Sequence, residues 1–166
     1  MADIGGRGGT LWNNVVVVND YTTDLPAPIA SVITLAANTT YWFNEGTHNL
    51  VGNRLVLANG TNIMGFGKTK TIVTSTNAGA FLTGTNVDSI VRDIEFQVTG
   101  SVFSITNAAS NSVYAEDVNY KNCGAIGTIN GGGFFARWTL AVRCVNGLTF
   151  SGALGSVIFD TCSFRT

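Results

Sequence analysis

Four carboxylates in the second half of the chain stand at spacings that could serve acid and base chemistry: Asp93 with Glu95, and Glu116 with Asp117. Residues i and i+2 of a strand point to one side, so Asp93 and Glu95 are expected to share a face. Two carboxyls held in this way, one protonated and one ionised, can flank a glycosidic bond as general acid and base. Asp93, Asp117 and Asp160 also hold similar places in a recurring phrase, which predicts a column of aspartates along one face. A second role competes with catalysis, because an aspartate that returns at a chain corner accepts backbone hydrogen bonds and sets the turn. Asp160 falls in the last copy of the phrase, so a cleft built on this column would lie at the end of the chain, which favours the turn-setting role.

The phrase itself describes the elements that must carry these groups. It runs Ser89 to Phe96, returns at Ser112 to Tyr120, and returns again at Ser156 to Phe164, with leading serines 23 and then 44 residues apart. The period is therefore about 22 residues with one degenerate copy between. A period of that size, written in β-branched and aromatic residues, fits one coil of a solenoid made of strands, and each coil must stack on the next to bury its apolar side. No window keeps apolar residues at i, i+3, i+4 and i+7 over three turns, so helix should be nearly absent.

Composition narrows the function classes. Of 166 residues 45% are apolar and only 11% charged, with a net charge of −1. The exterior is expected to be polar and neutral, without the basic footprint of a nucleic-acid binder. No run approaches the roughly 18 apolar residues of a membrane span, and the start, Met1 to Gly9, lacks the basic and apolar regions of a signal peptide. Residues 1–14 read as a flexible glycine-rich arm, in which Leu11 and Trp12 are candidates for docking onto a neighbour.

Other motifs carry less. Cys123, Cys144 and Cys162 lie near the coil period and are expected to stack as small core residues in successive coils, with neither a disulfide framework nor a zinc site. His48, in Gly46-Thr47-His48-Asn49, is expected at the surface. Gly65-Phe66-Gly67-Lys68-Thr69 imitates the end of a phosphate loop, but Asn62 stands where that motif needs glycine and no helix follows. Gly131-Gly132-Gly133 reads as a permissive loop, since a calcium-binding glycine roll requires an aspartate at fixed spacing. The sequons at Asn38 and Asn59 are coincidental in a chain rich in asparagine and threonine. No metal site or cofactor is expected, and Tyr114 and Tyr120 alone do not define a sugar subsite.

From residue 20 onward the chain resembles a known family. Asp24-Leu25-Pro26-Ala27-Pro28, Val32-Ile33-Thr34-Leu35, Asn38-Thr39-Thr40-Tyr41, Asn53-Arg54-Leu55-Val56-Leu57 and Asn62-Ile63-Met64-Gly65-Phe66-Gly67 are similar to the opening coils of pectate-lyase-like right-handed parallel β-helix proteins, especially those of bacteriophage virions. The resemblance implies an all-β fold, a single-stranded right-handed parallel β-helix over residues 15–166 following the arm at 1–14. It implies a place in the virion as a capsid decoration, fibre or tail protein, a homotrimeric state, and contacts with other capsid or tail proteins. The chain stops directly after a strand at Ser163-Phe164-Arg165-Thr166, so either the sequence continues or a partner subunit covers that edge. The alternative is a tailspike that binds or cuts cell-surface glycan with Asp93, Glu95, Glu116 and Asp117. A free polysaccharide lyase would need calcium or a base such as Arg92 or Arg143. Seven or so coils at about 4.8 Å make a rod near 35 Å, short for a projecting tailspike.

Overall fold

Short runs of valine, isoleucine, leucine and aromatic residues alternate with small polar ones along the chain, and each run forms one rung of a parallel β-solenoid. The computed structural model describes residues 14–165, with 61% strand and 3% helix in roughly seven turns. The series opens with β1 (Val15–Val18) and one helical turn, α1 (Tyr21–Asp24), where the sequence reads as strand and link. There follow β2 (Val32–Thr34), β3 (Thr40–Phe43), β4 (Gly46–Asn49), β5 (Arg54–Leu57), β6 (Asn62–Met64), β7 (Thr71–Ser75) and β8 (Leu82–Thr85). Longer strands then bend through corners: β9 (Ser89–Val98), β10 (Ser101–Thr106), β11 (Ser112–Lys121), β12 (Ala125–Arg137), β13 (Leu140–Val142), β14 (Asn146–Asp160) and β15 (Ser163–Arg165).

The strands pair in parallel with those one coil away, and this builds three faces. Face A stacks β1, β3, β6, the opening halves of β9 and β11, and the closing halves of β12 and β14. Face B stacks β4, β7, the closing halves of β9 and β11, then β13 and β15. Face C stacks β2, β5, β8, β10 and the opening halves of β12 and β14. Thus β3 and β4, which read in sequence as strand, turn and strand, occupy adjacent faces and do not pair with each other.

Register aligns the inward side chains into columns. On face A, Val16, Tyr41, Ile63, Val91, Ala115, Ala136 and Phe159 are successive partners. On face B, His48, Val73, Phe96, Tyr120, Ala141 and Phe164 do the same. Rings meet across the interior, Phe81 with Phe96 at 5.8 Å and Phe103 with Phe134 at 6.0 Å between centroids. Each fully buried ring or branched side chain stabilises the fold by about 1.5–3 kcal/mol relative to exposure, so the stack of columns holds the rod together.

The corners explain how one chain turns repeatedly. Between faces A and B, one residue in each of the last four coils takes left-handed backbone angles: Asp93 (φ 56°), Asp117 (53°), Trp138 (53°) and Thr161 (53°). Between B and C the same role falls to Val51, Asn122 and Arg143, at 53°, 54° and 54°. Aspartate and asparagine tolerate this region better than other L-residues; Trp138 is held there by the ladder itself, its N donating to Asp160 O at 3.0 Å. Gly131 and Gly132, at φ 80° and 72°, form the C to A corner within β12. The glycine triplet is therefore a bend within a strand.

Candidate functional site

The four carboxylates do come together, on adjacent rungs of β9 and β11 around the corner between faces A and B. They do not share a side. Arg92 pairs in register with Glu116 on face A, and Glu95 with Asn119 on face B. Asp93 and Asp117 are the left-handed corner residues between. That corner breaks the alternation on which the expected shared face of Asp93 and Glu95 rested, because a left-handed residue turns the chain instead of continuing the pleat. The predicted aspartate column is also shorter than expected. Asp93 and Asp117 occupy equivalent corners, whereas Asp160 pairs with Arg137 one place earlier, and Thr161 takes the corner. Of the leading serines, Ser89 is one place out of step, pairing with Val113, whereas Ser112 and Ser156 each stand five residues before their corners.

Each carboxylate faces a cation. Arg92 Nε lies 2.7 Å from Asp93 Oδ2, and its Nη1 lies 3.8 Å from Glu116 Oε2. Lys68 Nζ lies 2.5 Å from Asp117 Oδ1 and 3.1 Å from the carbonyl of Trp138, to which it donates. Glu95, only 5% exposed, accepts from Gln97 Nε2 at 2.5 Å and from Asn119 Nδ2 at 3.2 Å, with Lys121 Nζ at 3.8 Å. Asn119 Nδ2 also donates to the Lys68 carbonyl at 3.2 Å. The loop between β6 and β7, the one that imitates a phosphate loop, is thus strapped over this corner, and Lys70 fastens its end to Glu45 at 2.9 Å. Of the two bases considered for a lyase, Arg92 belongs to this cluster and Arg143 occupies a different corner, between faces B and C.

A feature missed in sequence extends the cluster along the rod. Arg92, Glu116, Arg137 and Asp160 are successive register partners on the outer side of face A, a ladder of alternating charge. Its far pair, Arg137 Nε to Asp160 Oδ2, is 3.1 Å apart. Like charges directly opposite destabilise a sheet and opposite charges support it. The signal was present in the repeat: aligned by corner, the copies alternate in sign at this place, but attention to acids alone passes over the intervening arginines.

Two tyrosines separate in role. Tyr120 is inward and 2% exposed, and burial pushes its phenol well above the ordinary value. Tyr114 is outward, stacked on Phe135 with centroids 4.8 Å apart and planes 10° from parallel. Both rings line a shallow cavity of about 200 Å³ together with Ser110, Ser112 and Ser156. His48 is a correction. It is 7% exposed and sits in the inward column of face B, its Nε2 2.9 Å from Asn44 O and its ring edge-on to Phe43 at 5.2 Å. It belongs to strand β4, and alternation from Gly46 carries the histidine inside.

The cysteines stack in part. Cys123 and Cys144 occupy one corner on neighbouring coils, whereas Cys162 sits above Thr139, just before β15, where Thr139 Oγ1 donates to its sulfur at 3.0 Å. Its 18-residue separation from Cys144 places it at another corner, which the similar spacing alone does not reveal. Among the described residues, no group of three or more His, Cys, Asp and Glu could hold a metal ion, and no helix is long and apolar enough to cross a membrane. Leu11 and Trp12, the docking candidates, lie outside the described residues. No protein-family model, curated protein or solved structure matches the chain; the likeness to parallel β-helix proteins is supported at the level of fold.

Proposed function

We propose that this chain is a non-enzymatic structural component of a bacteriophage virion, a capsid decoration protein or a fibre or tail element. In this reading the solenoid supplies a rigid rod, it assembles as a homotrimer, and residues 1–14 with Leu11 and Trp12 attach it to other virion proteins. The observation that carries the structural half is the pairing of every candidate carboxylate with a cation from the same or a neighbouring coil. A general acid must offer its proton to a leaving group and a base must reach a water or substrate; carboxylates engaged by arginine, lysine and amide donors instead tie coil to coil. The placement in a virion rests on the resemblance of the opening coils to phage β-helix proteins.

The test combines light scattering on the purified chain with a reducing-end assay on bacterial surface polysaccharide. A trimeric mass with no new reducing ends is the expected result. Cleavage that disappears in Glu95→Gln or Glu116→Gln while the trimer persists would overturn it.

A second reading, a glycan-binding virion protein, is favoured by the outward Tyr114 and Phe135 rings beside three serine hydroxyls, since sugar rings stack on aromatic faces and their hydroxyls bond to polar neighbours. Loss of polysaccharide binding in Tyr114→Ala with unchanged folding is the result that would select it.

A further inference from the structure

Cys123 and Cys144 are placed as a pair by two register matches of equal offset. Before them Lys121 pairs with Val142, and after them Ala125 pairs with Asn146, each 21 residues apart. The intervening residues must therefore match one to one, setting Cys123 over Cys144. The corner residues before them agree, Asn122 and Arg143 both having φ 54°, and Val145 N donates to Cys123 O at 3.0 Å. The side chains repeat as well. Cys123 Sγ lies 3.3 Å from Phe96 O and 3.6 Å from Lys121 O, and Cys144 Sγ lies 3.5 Å from Tyr120 O and 3.9 Å from Val142 O. Those carbonyls are themselves register partners, so both sulfurs lean the same way from neighbouring rungs. Adjacent strands stand about 4.8 Å apart, within the Cα separation of about 4.4–6.8 Å that a disulfide spans.

We propose that Cys123 and Cys144 form a thiol pair that closes to a coil-to-coil disulfide on exposure to a low-molecular-weight disulfide oxidant, Cys144 being the attacking sulfur and Cys123 the resolving one. Both are free thiols in the structure, Cys123 buried and Cys144 half-buried, and only Cys144 is flanked by exposed residues, Arg143 and Val145. A thiol that is partly open to solvent is the kind that a small oxidant can reach. The nearness of the two sulfurs acts in the same direction, holding Cys144 below the ordinary thiol value and pushing Cys123 up.

The chemistry balances as two exchanges. Cys144 thiolate attacks one sulfur of the oxidant, forming a mixed disulfide and releasing one small thiolate. Cys123 Sγ then attacks Cys144 Sγ, its proton passing to the departing thiolate, and the second small thiol leaves. Two protein thiols are oxidised and one oxidant disulfide is reduced to two thiols. Cys123 meets only the sulfur one rung away, so its burial does not block the second step. Cys162, at a different corner, takes no part.

The folded full chain, treated with oxidised glutathione and then alkylated, tests this by intact mass and peptide mapping. The expected product has lost two hydrogens, carries a Cys123 to Cys144 linked peptide, and reverts with dithiothreitol; Cys162→Ser gives the same product. Cys123→Ser should stop at a glutathione adduct on Cys144. A link that includes Cys162, a persistent adduct on Cys144 of the unaltered chain, or a Cys144 that stays reduced would each overturn the proposal, and none of these outcomes depends on whether Cys123→Ser folds.

Discussion

The first and last coils of the solenoid place similar residues in different circumstances. At the first, α1 folds beside β1, and its polar ends are satisfied locally: Asp20 accepts from Thr22 N at 2.9 Å, and Asp24 Oδ2 accepts from Asn19 N at 2.7 Å and Asp20 N at 2.9 Å. Just beyond, Leu25 is 5% exposed and Ile33 fully buried. At the last described coil the inward columns continue, but nothing among the described residues lies over them. Phe159 is 43% exposed where Ala136 beneath it is 3%, and Phe164 is 55% exposed where Ala141 is 4%. Phe96 and Phe164 share one column of face B. In a solenoid the burial of a side chain is conferred by the next rung, and the same residue type at the same place in the repeat differs in stabilising effect according to its position along the rod.

The largest expected effect sets these two phenylalanines against each other. Phe96→Ala should lower unfolding free energy by about 3–5 kcal/mol in urea denaturation, as large-to-small changes in filled cores do. Phe164→Ala should cost under about 1 kcal/mol, because little apolar area is lost from contact. Equal costs would break the comparison and mean that the last coil is covered in solution.

An intermediate effect belongs to the charge ladder. Glu116→Lys places a third cation between Arg92 and Arg137, in a position where the native side chain is 13% exposed, and should cost about 1–2 kcal/mol. Asp160→Lys, at the open end where the native side chain is 52% exposed, should change stability by less than about 0.5 kcal/mol. Adding salt should narrow the difference in denaturation midpoints, since surface charges are screened.

The smallest effect sharpens the picture of the first coil. Hydrogen bonds from Thr22 to Asp20, and from the Asp20 and Asn19 amides to Asp24, hold both carboxyls below their ordinary value of 3.8. A carboxyl depressed in the folded state contributes stability that is present above its ordinary value and lost as pH falls through the lowered one. Protection of the Asn19 and Thr22 amides, relative to their intrinsic exchange rates, should therefore hold down to about pH 3.8 and fall below it, before the central rungs respond. Simultaneous loss of protection at α1 and at β9 would show that α1 does not open by itself.

The fold was legible because its determinants are local and repeated. The strand runs Thr40 to Phe43 and Arg54 to Leu57 coincide with β3 and β5, and asparagine and glycine do mark many corners. The site was legible only in membership. Asp93, Glu95, Glu116 and Asp117 are neighbours as expected, yet their partners Lys68 and Lys121 are supplied by a strap and a neighbouring rung that no local pattern announces. His48 shows the same limit: a polar strand of glycine, threonine, histidine and asparagine reads as exposed, and only stacking over Val73 places the histidine inside.

Composition, the absence of helical periodicity and a repeat of about 22 residues determined that apolar strands must stack in parallel coils, since each can bury its inner side only against the next. Register between coils was decided by tertiary structure alone. Met64 and Arg92 are partners 28 residues apart while Glu116 and Arg137 are 21 apart, and the extra length goes into a loop whose lysines close over the acids. Such offsets are settled by which backbone amides and carbonyls meet across the whole stack. For that reason the alternating charge ladder, the split of the carboxylates around a left-handed corner and the pairing of Cys123 with Cys144 exist only once the coils are laid on one another.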